Sequence, residues 1–286
     1  MKLEQVNIRD PFILPYNGMY YLYGTRSATC WGKAEGFDWY RSPDLEEWEG
    51  PIEIFRRPEG FVMDENYWAP ECYAIDGRFY FLTTFGAQGI RKGAYLLVAD
   101  APEGPFALYS GRLTPEDWTC IDATLYRRDG HNYMIFSHSF EDGATALSGD
   151  MCMVELSADL KRAITEPVVL FPACAAPWAT PVPFARDEFG IEGDAYFTDG
   201  PFLVDQRDGG LRMYWSSWST HGYAVGEAVS DSGAVTGPWR QVAEPFFPEN
   251  GGHGMAFRRF DGRLVYVLHY PNAKYLEHPI FTEIEE

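Results

Sequence analysis

The chain has 286 residues, of which 46% are hydrophobic and 16% aromatic, and this is enough apolar material for a substantial core. Its formal net charge of −19 makes nucleic acid and anionic membranes unfavourable partners, whereas a neutral sugar is compatible with such a surface. No stretch of the sequence approaches the roughly 18 consecutive apolar residues that a membrane-spanning helix needs.

The N-terminal segment MKLEQVNIRDPF has neither the apolar stretch nor the small-residue cleavage site of a secretory signal. The cysteines are odd in number and widely scattered, which favours reduced thiols over a disulfide framework or a zinc site. They are Cys30, Cys72, Cys120, Cys152 and Cys174. We therefore expect a cytoplasmic protein.

One pattern recurs five times along the chain, which is typical of a repeat architecture. In each copy a polar residue beside Pro or Gly precedes a short apolar run, a turn and an aromatic-rich strand. The copies are RDPFILPYNGMYYLYGT from Arg9, APECYAIDGRFYFLTTF from Ala69, IDATLYRRDGHNYMIFSHS from Ile121, TDGPFLVDQRDGGLRMYWSSW from Thr198 and GHGMAFRRFDGRLVYVLHY from Gly252. Asn-Gly or Asp-Gly supplies each turn, because these residues tolerate the positive φ angles of tight hairpins.

Further strand-like segments lie between the copies, so each unit supplies about four antiparallel strands. We predict an all-β fold in which residues 1–286 form a single five-bladed β-propeller domain. A β-sandwich is the alternative, but sandwiches rarely repeat one such pattern five times. The longest interval holds an insertion, PACAAPWATPVPFARDEFGIEGDAYF, which we expect to be an ordered loop over the active face. The segment HPIFTEIEE is predicted to be a closing strand.

The innermost strands of a propeller converge on its axis, so residues at one place in every repeat are expected to lie close together. We assign five such residues: Asp10, Glu71, Asp122, Asp199 and His253. Grouped carboxylates raise one another's pKa and cost stability, which indicates a functional site rather than simple caps on strand ends. Paired carboxylates are the groups that hydrolyse glycosidic bonds.

Several segments resemble glycoside hydrolase family 43, and the likeness covers essentially the whole chain. They are RDPFILPYNGMYYLYGT, WAPECYAIDGRFYF, CIDATLYRRDG, TDGPFLV with MYWSSW, and GGHGMAFRRFDGR. The resemblance implies a five-bladed propeller and an inverting hydrolase. Its expected substrates are α-L-arabinofuranosyl or β-xylosyl linkages in oligosaccharides derived from plant polysaccharides.

Position by position, the resemblance makes Asp10 the general base and Asp122 the aspartate that tunes and orients the acid. Asp199 stands where the family usually has a glutamate as general acid, and its shorter side chain withdraws the carboxyl group by about 1.5 Å, enough to affect the rate. Asp199 remains the first candidate for the acid, Glu71 is the second, and Glu192 in the insertion is a remote third. A weak or inactive site is the remaining alternative.

The resemblance also places His253 near a central cation, often calcium, so we expect a structural Ca²⁺ at the axis or, failing that, a histidine that bonds the sugar. Aromatic side chains that stack on sugars are expected among Trp31, Trp68, Phe85, Trp178 and Trp218, with packing between blades as the alternative for each, as for Tyr67. His138, Arg258 and His269 are candidates for bonding sugar hydroxyls, with ordinary structural contacts as the alternative.

Two other functions stay open at this point. One is a five-bladed glycosidase that retains the anomeric configuration or cleaves with phosphate. The other is a sugar-binding propeller that has lost catalysis, which the aspartate at position 199 favours.

Overall fold

A computed structural model describes residues 1–284 of the chain. The strands of these residues form five antiparallel sheets, four with four strands and one with three. Within every sheet the strands are neighbours in chain order, so each blade is a continuous meander. This is the five-bladed propeller that the repeat predicts.

The strands are numbered in chain order. Blade 1 contains β1 (Ile8–Tyr16), β2 (Met19–Arg26), β3 (Gly36–Ser42) and β4 (Glu49–Arg56); blade 2 contains β5 (Glu65–Ile75), β6 (Arg78–Ala87), β7 (Ile90–Ala99) and β8 (Ala107–Leu108). Blade 3 contains β9 (Cys120–Arg128), β10 (His131–His138), β11 (Asp150–Leu156) and β12 (Val168–Pro172); blade 4 contains β13 (Asp199–Asp205), β14 (Leu211–Ser219), β15 (Gly222–Ser230) and β16 (Arg240–Gln241). Blade 5 contains β17 (Gly252–Arg258), β18 (Leu264–Tyr270) and β19 (His278–Glu283).

The helical segments are all short. Four are 3₁₀ turns, at Leu3–Gln5, Ser27–Thr29, Phe140–Thr145 and Ala173–Ala175, and α1 (Ala185–Phe189) lies in the insertion between blades 3 and 4. Among residues 1–284, no helix has the length and apolar character needed to cross a membrane.

The predicted Asn-Gly and Asp-Gly turns join the first two strands of each blade. In blade 1, for example, Asn17 and Gly18 have φ angles of 49° and 77° between β1 and β2. Both residues are thus in the left-handed region, which an Asn-Gly pair adopts at little cost.

Each innermost strand also has a left-handed residue next to a shift in the strand register, and β5 has a second one at Asn66. The five that occupy equivalent places are Asp10, Ala69, Asp122, Gly200 and His253, with φ between 43° and 57°. The resulting bulge is a shared feature of the five blades, and bulges commonly re-aim side chains next to active sites.

The bulges correct the predicted equivalence of the five axial residues. Asp10, Asp122 and His253 do occupy the same place, but the equivalents in blades 2 and 4 are Ala69 and Gly200. Glu71 therefore lies two residues beyond its bulge, and Asp199 lies one residue before its own.

Side-chain contacts close the ring between blade 1 and blade 5. The buried carboxylate of Glu277, just before β19, accepts hydrogen bonds of 2.8 Å from both Arg9 and Ser27. The predicted closing segment forms β19, which pairs with β18 inside blade 5, while Glu285 and Glu286 lie outside the described residues. The seam between the first and last blades is thus held by buried charged and polar groups.

Candidate active site

A cavity of about 660 Å³ lies at one end of the propeller axis. The side chains at its base come from four different blades: Asp10 from β1, Asp122 from β9, Asp199 and Tyr223 from blade 4, and His253 from β17. Its size is typical of sites that bind small ligands. The axial cluster predicted from the repeat is therefore largely assembled at one site.

Asp10 and Asp122 are held together by one histidine. A carboxylate oxygen of each lies 3.3 Å from Nδ1 of His253. Burial alone would lower the pKa of His253, but the two carboxylates outweigh it and raise the pKa to about 9. His253 is therefore a cation at neutral pH, and it offsets the repulsion between the two aspartates.

A hydrogen bond from Thr25 fixes the Asp10 carboxylate in direction. Thr25 donates to its Oδ2 at 2.6 Å, whereas Nδ1 of His269, 3.4 Å from its Oδ1, has no hydrogen to donate. The backbone N–H of Asp10 also donates to Nδ1 of His269 at 3.3 Å. Burial, with the nearby positive charges of Arg9 and His253, lowers the pKa of His269 well below its ordinary value, so this ring is neutral.

Asp199 has different surroundings from Asp10. Burial, followed by the negative charge of Asp122, raises the pKa of Asp199 well above its ordinary value of 3.8. The hydroxyl group of Tyr223 donates a hydrogen bond of 3.0 Å to Oδ2 of Asp199. A carboxyl group whose surroundings favour the protonated form therefore faces the same cavity as two aspartates that contact His253.

Glu71 lies beneath this group and does not line the cavity. It is buried, accepts a hydrogen bond from Tyr73, and has its pKa raised to about 8, mainly by burial. The residues at the matching place in two other blades, Phe12 and Phe202, pack against each other with ring centroids 6.4 Å apart. This layer of side chains fills the axis below the cavity.

Three of the predicted sugar-binding aromatics line the cavity, namely Trp31, Trp68 and Trp218. Trp31 is 49% exposed, and its ring lies 5.9 Å from that of Trp68 and 5.2 Å from the guanidinium carbon of Arg9. Apolar faces of sugar rings can stack on such exposed aromatic surfaces.

The structure does not bring the other five predicted sugar-binding residues into the cavity, which corrects their placement. Phe85 is fully buried between blades, where its ring lies 4.5 Å from that of Tyr67. Trp178 is buried against Trp215 at 4.9 Å. The alternative of packing between blades therefore describes these aromatics.

The three polar residues of this set have structural contacts instead. His269 is buried, accepts the backbone N–H of Asp10 and stacks on Tyr223. His138 is buried, lies 3.0 Å from Asp142 and stacks on Trp118 at 4.1 Å. Arg258 lies at the exposed end of β17 and donates to the carbonyl oxygen of Gly262 at 3.2 Å. Glu192, the remote candidate for the acid, is exposed beside Arg186 at 3.5 Å.

The insertion between blades 3 and 4 does reach the active face, as expected. Phe184, Glu188 and Phe189 line one side of the cavity, together with Phe140 of the 3₁₀ turn that follows β10. Tyr223 also belongs to the site, although no sequence pattern singled it out. It lies on the third strand of its blade, outside the repeated motif, and the pairing of β13, β14 and β15 within blade 4 brings it to Asp199.

The residues at the axis do not fit a calcium ion held by protein side chains. Among residues 1–284, no group of three or more His, Cys, Asp or Glu side chains is arranged as a metal site. Calcium prefers several oxygen ligands, whereas the nearest oxygens of Asp10 and Asp122 both contact Nδ1 of His253.

Comparison with known proteins identifies the family. The family model for glycosyl hydrolases family 43 matches residues 4–282. The chain is 34% identical to an endo-arabinase from Bacteroides thetaiotaomicron, with a TM-score of 0.89 and 100% of this chain and 97% of that chain covered. No curated protein matches the chain.

Two more distant structures share the fold. A thermostable family-43 glycoside hydrolase is 22% identical with a TM-score of 0.81, over 98% of this chain and 90% of that one. An α-L-arabinofuranosidase from Lactobacillus brevis is 20% identical with a TM-score of 0.75, over 100% and 94%. With the match to the family model over nearly its whole length, this chain is a glycosidase that belongs to glycosyl hydrolases family 43.

Proposed function

We propose that the enzyme hydrolyses α-L-arabinofuranosyl linkages in plant-derived oligosaccharides with inversion of the anomeric configuration. Asp10 acts as the general base that activates water, and Asp199 acts as the general acid that protonates the leaving oxygen. The similarity to an endo-arabinase at 34% identity supports an arabinose-containing substrate.

One observation carries the assignment of acid and base: the two carboxyl groups have different contacts in this cavity. Asp10 faces the cationic His253 and accepts a hydrogen bond from Thr25, and both contacts stabilise a carboxylate. Burial and the negative charge of Asp122 raise the pKa of Asp199, which favours its protonated form. Glycoside hydrolysis needs one carboxyl group in each state, on either side of the scissile bond.

Asp122 has a supporting role in this scheme. Its backbone N–H donates to Oγ1 of Thr84 at 3.0 Å, and its side chain contacts His253 at 3.3 Å. Its negative charge contributes to the raised pKa of Asp199, so it helps to keep the acid protonated between turnovers.

The reaction is tested on α-1,5-linked arabino-oligosaccharides and a panel of nitrophenyl glycosides that includes the β-xyloside. Proton NMR during turnover should show a β-configured arabinofuranose as the first product from an α-linked substrate. An α-configured first product would contradict inversion, and activity confined to β-xylosides would contradict the substrate assignment. Binding without any hydrolysis would favour a sugar-binding protein.

Asp10→Asn tests the base. We expect the rate to fall by about 10²- to 10⁴-fold, the usual contribution of a general base, while calorimetry shows that arabino-oligosaccharides still bind. Asp100→Asn is a matched control, because the Asp100 side chain is 92% exposed and lies outside the cavity. Equal activity of the Asp10→Asn variant and the wild type would contradict the assignment.

A further inference from the structure

Asp199 carries the reacting carboxyl group on a side chain one methylene shorter than glutamate, so its direction has to be fixed by its surroundings. We propose that Tyr223 is the positioning residue that fixes this carboxyl group and presents its proton to the glycosidic oxygen. This inference rests on the proposed role of Asp199 as the general acid.

The hydrogen bond between the two side chains determines which oxygen of Asp199 carries the proton. Tyr223 donates to Oδ2 at 3.0 Å, so Oδ2 serves as the acceptor. A neutral carboxyl group has one O–H donor, and its other oxygen is the acceptor. The proton of Asp199 is therefore held on Oδ1, the oxygen that the tyrosine leaves free.

Tyr223 is itself rigidly held. Its side chain is 2% exposed, its ring stacks on His269 at 5.5 Å with an interplanar angle of 17°, and its backbone N–H donates to Asn250 at 3.3 Å. Position 252 must be glycine for this arrangement, because a Cβ atom there would lie 2.5 Å from the tyrosine ring. The hydroxyl group is thus pre-organised, which is the requirement for positioning a catalytic group.

Tyr223 acts through Asp199 rather than as the acid itself. Burial, followed by the negative charges of Asp199 and Asp122, raises the pKa of Tyr223 well above its ordinary value. Its phenol therefore stays protonated and remains a hydrogen-bond donor throughout the catalytic cycle. The stacking of its ring on His269, which contacts Asp10, also links the acid side of the cavity to the base side.

The test compares substrates that need an acid with substrates that do not. Tyr223→Phe keeps the ring and its packing but removes the hydroxyl group. On α-1,5-arabinobiose, whose leaving group needs protonation, we expect kcat to fall by about 10- to 100-fold, as for a misplaced catalytic group. On 2,4-dinitrophenyl α-L-arabinofuranoside, whose leaving group departs without a proton, kcat should stay close to the wild-type value.

Two matched variants separate positioning from a structural effect. Tyr126→Phe removes another hydroxyl group that donates to an aspartate, at 2.7 Å to Asp205, outside the cavity, and should leave both rates unchanged. In an Asp199→Asn background, Tyr223→Phe should cause no additional loss on arabinobiose, because the acid is already absent. Thermal unfolding of each variant checks that it folds.

Three results would overturn the inference. Tyr223→Phe could lower kcat equally on both substrates, or on neither. It could also lower kcat on arabinobiose further in the Asp199→Asn background. These outcomes differ from a failure of the proposed function. If wild-type enzyme hydrolyses neither arabinofuranoside, or if Asp199→Asn leaves arabinobiose hydrolysis intact, the proposed acid is wrong and Tyr223 has no acid to position.

Discussion

Thr25 donates its hydroxyl hydrogen to Oδ2 of Asp10 at 2.6 Å from the strand beside the one that carries the aspartate. The same hydroxyl oxygen accepts the backbone N–H of Ala69 at 2.8 Å. One fully buried side chain therefore connects the proposed base in blade 1 to the bulge of blade 2.

Thr25→Val, which keeps the shape of the side chain, should affect both activity and stability. We expect kcat to fall about tenfold, since the Asp10 carboxylate loses a contact that holds its direction. The free energy of unfolding should fall by about 1–3 kcal/mol, because the N–H of Ala69 is left without its acceptor. Steady-state kinetics and urea denaturation measure the two effects.

Thr165→Val is the control for this variant. Thr165 also accepts a backbone N–H, from Glu155 at 2.9 Å, but in an exposed part of blade 3. It should leave kcat unchanged. A wild-type kcat for Thr25→Val would show that Asp10 does not depend on this contact.

Glu71→Gln should change the pH dependence of stability. In the native protein Glu71 keeps its proton up to about pH 8, whereas the unfolded chain releases it near the ordinary pKa of 4.5. The native state then binds more protons, so the contribution of Glu71 to the free energy of unfolding falls as pH rises from 4.5 to 8. The slope from this one group reaches about 1.4 kcal/mol per pH unit, and Glu71→Gln removes it.

Urea denaturation at several pH values between 5 and 8 measures this difference, with exposed Glu59→Gln as the control.

The Glu71→Gln variant also decides between the two candidates for the general acid. Because Glu71 lies below the cavity, Glu71→Gln should still hydrolyse arabino-oligosaccharides, whereas Asp199→Asn should not. The reverse result would make Glu71 the acid.

Trp31→Ala should weaken substrate binding more than it changes the chemical step. Loss of the half-exposed ring removes a stacking surface worth roughly 1 kcal/mol, so KM for arabino-oligosaccharides should rise by about five- to tenfold with little change in kcat. Phe260→Ala is the control, since Phe260 is equally exposed but lies outside the cavity. An unchanged KM would remove Trp31 from the binding surface.

Treatment with EDTA should leave the activity unchanged. The position where a central cation is expected from family resemblance is next to His253, whose Nδ1 contacts the nearest oxygens of both aspartates. Activity and thermal unfolding are measured with and without chelator, followed by addition of Ca²⁺. Activity that is lost with EDTA and restored by Ca²⁺ would contradict the expectation.

The sequence predicted the propeller because each blade repeats its signal locally. An Asn-Gly or Asp-Gly turn between two aromatic-rich strands specifies a hairpin without reference to the rest of the chain. The same repeat predicted that Asp10, Asp122 and His253 lie close together, because each is the bulge residue of its innermost strand. The insertion was recognisable because it interrupts the repeat.

The remaining site residues depend on contacts between distant parts of the chain. A shift of two residues along a strand takes Glu71 past the cavity into the layer below, and the repeat alone did not reveal where each bulge falls. Phe85 and Trp178 have the same composition signal as Trp31, but blade packing buries them. Tyr223 reaches Asp199 from the other side of β14 in the same blade, outside the repeated motif.

The seam at Glu277 has a consequence for how the enzyme loses activity on heating. Arg9 and Ser27 bind this carboxylate, so the junction between the first and last blades lies next to Asp10. Both histidines that contact Asp10 belong to the last blade. Partial separation of the first and last blades would pull the base away from its partners while most sheets remain intact. Inactivation should therefore precede the loss of the far-ultraviolet circular dichroism signal.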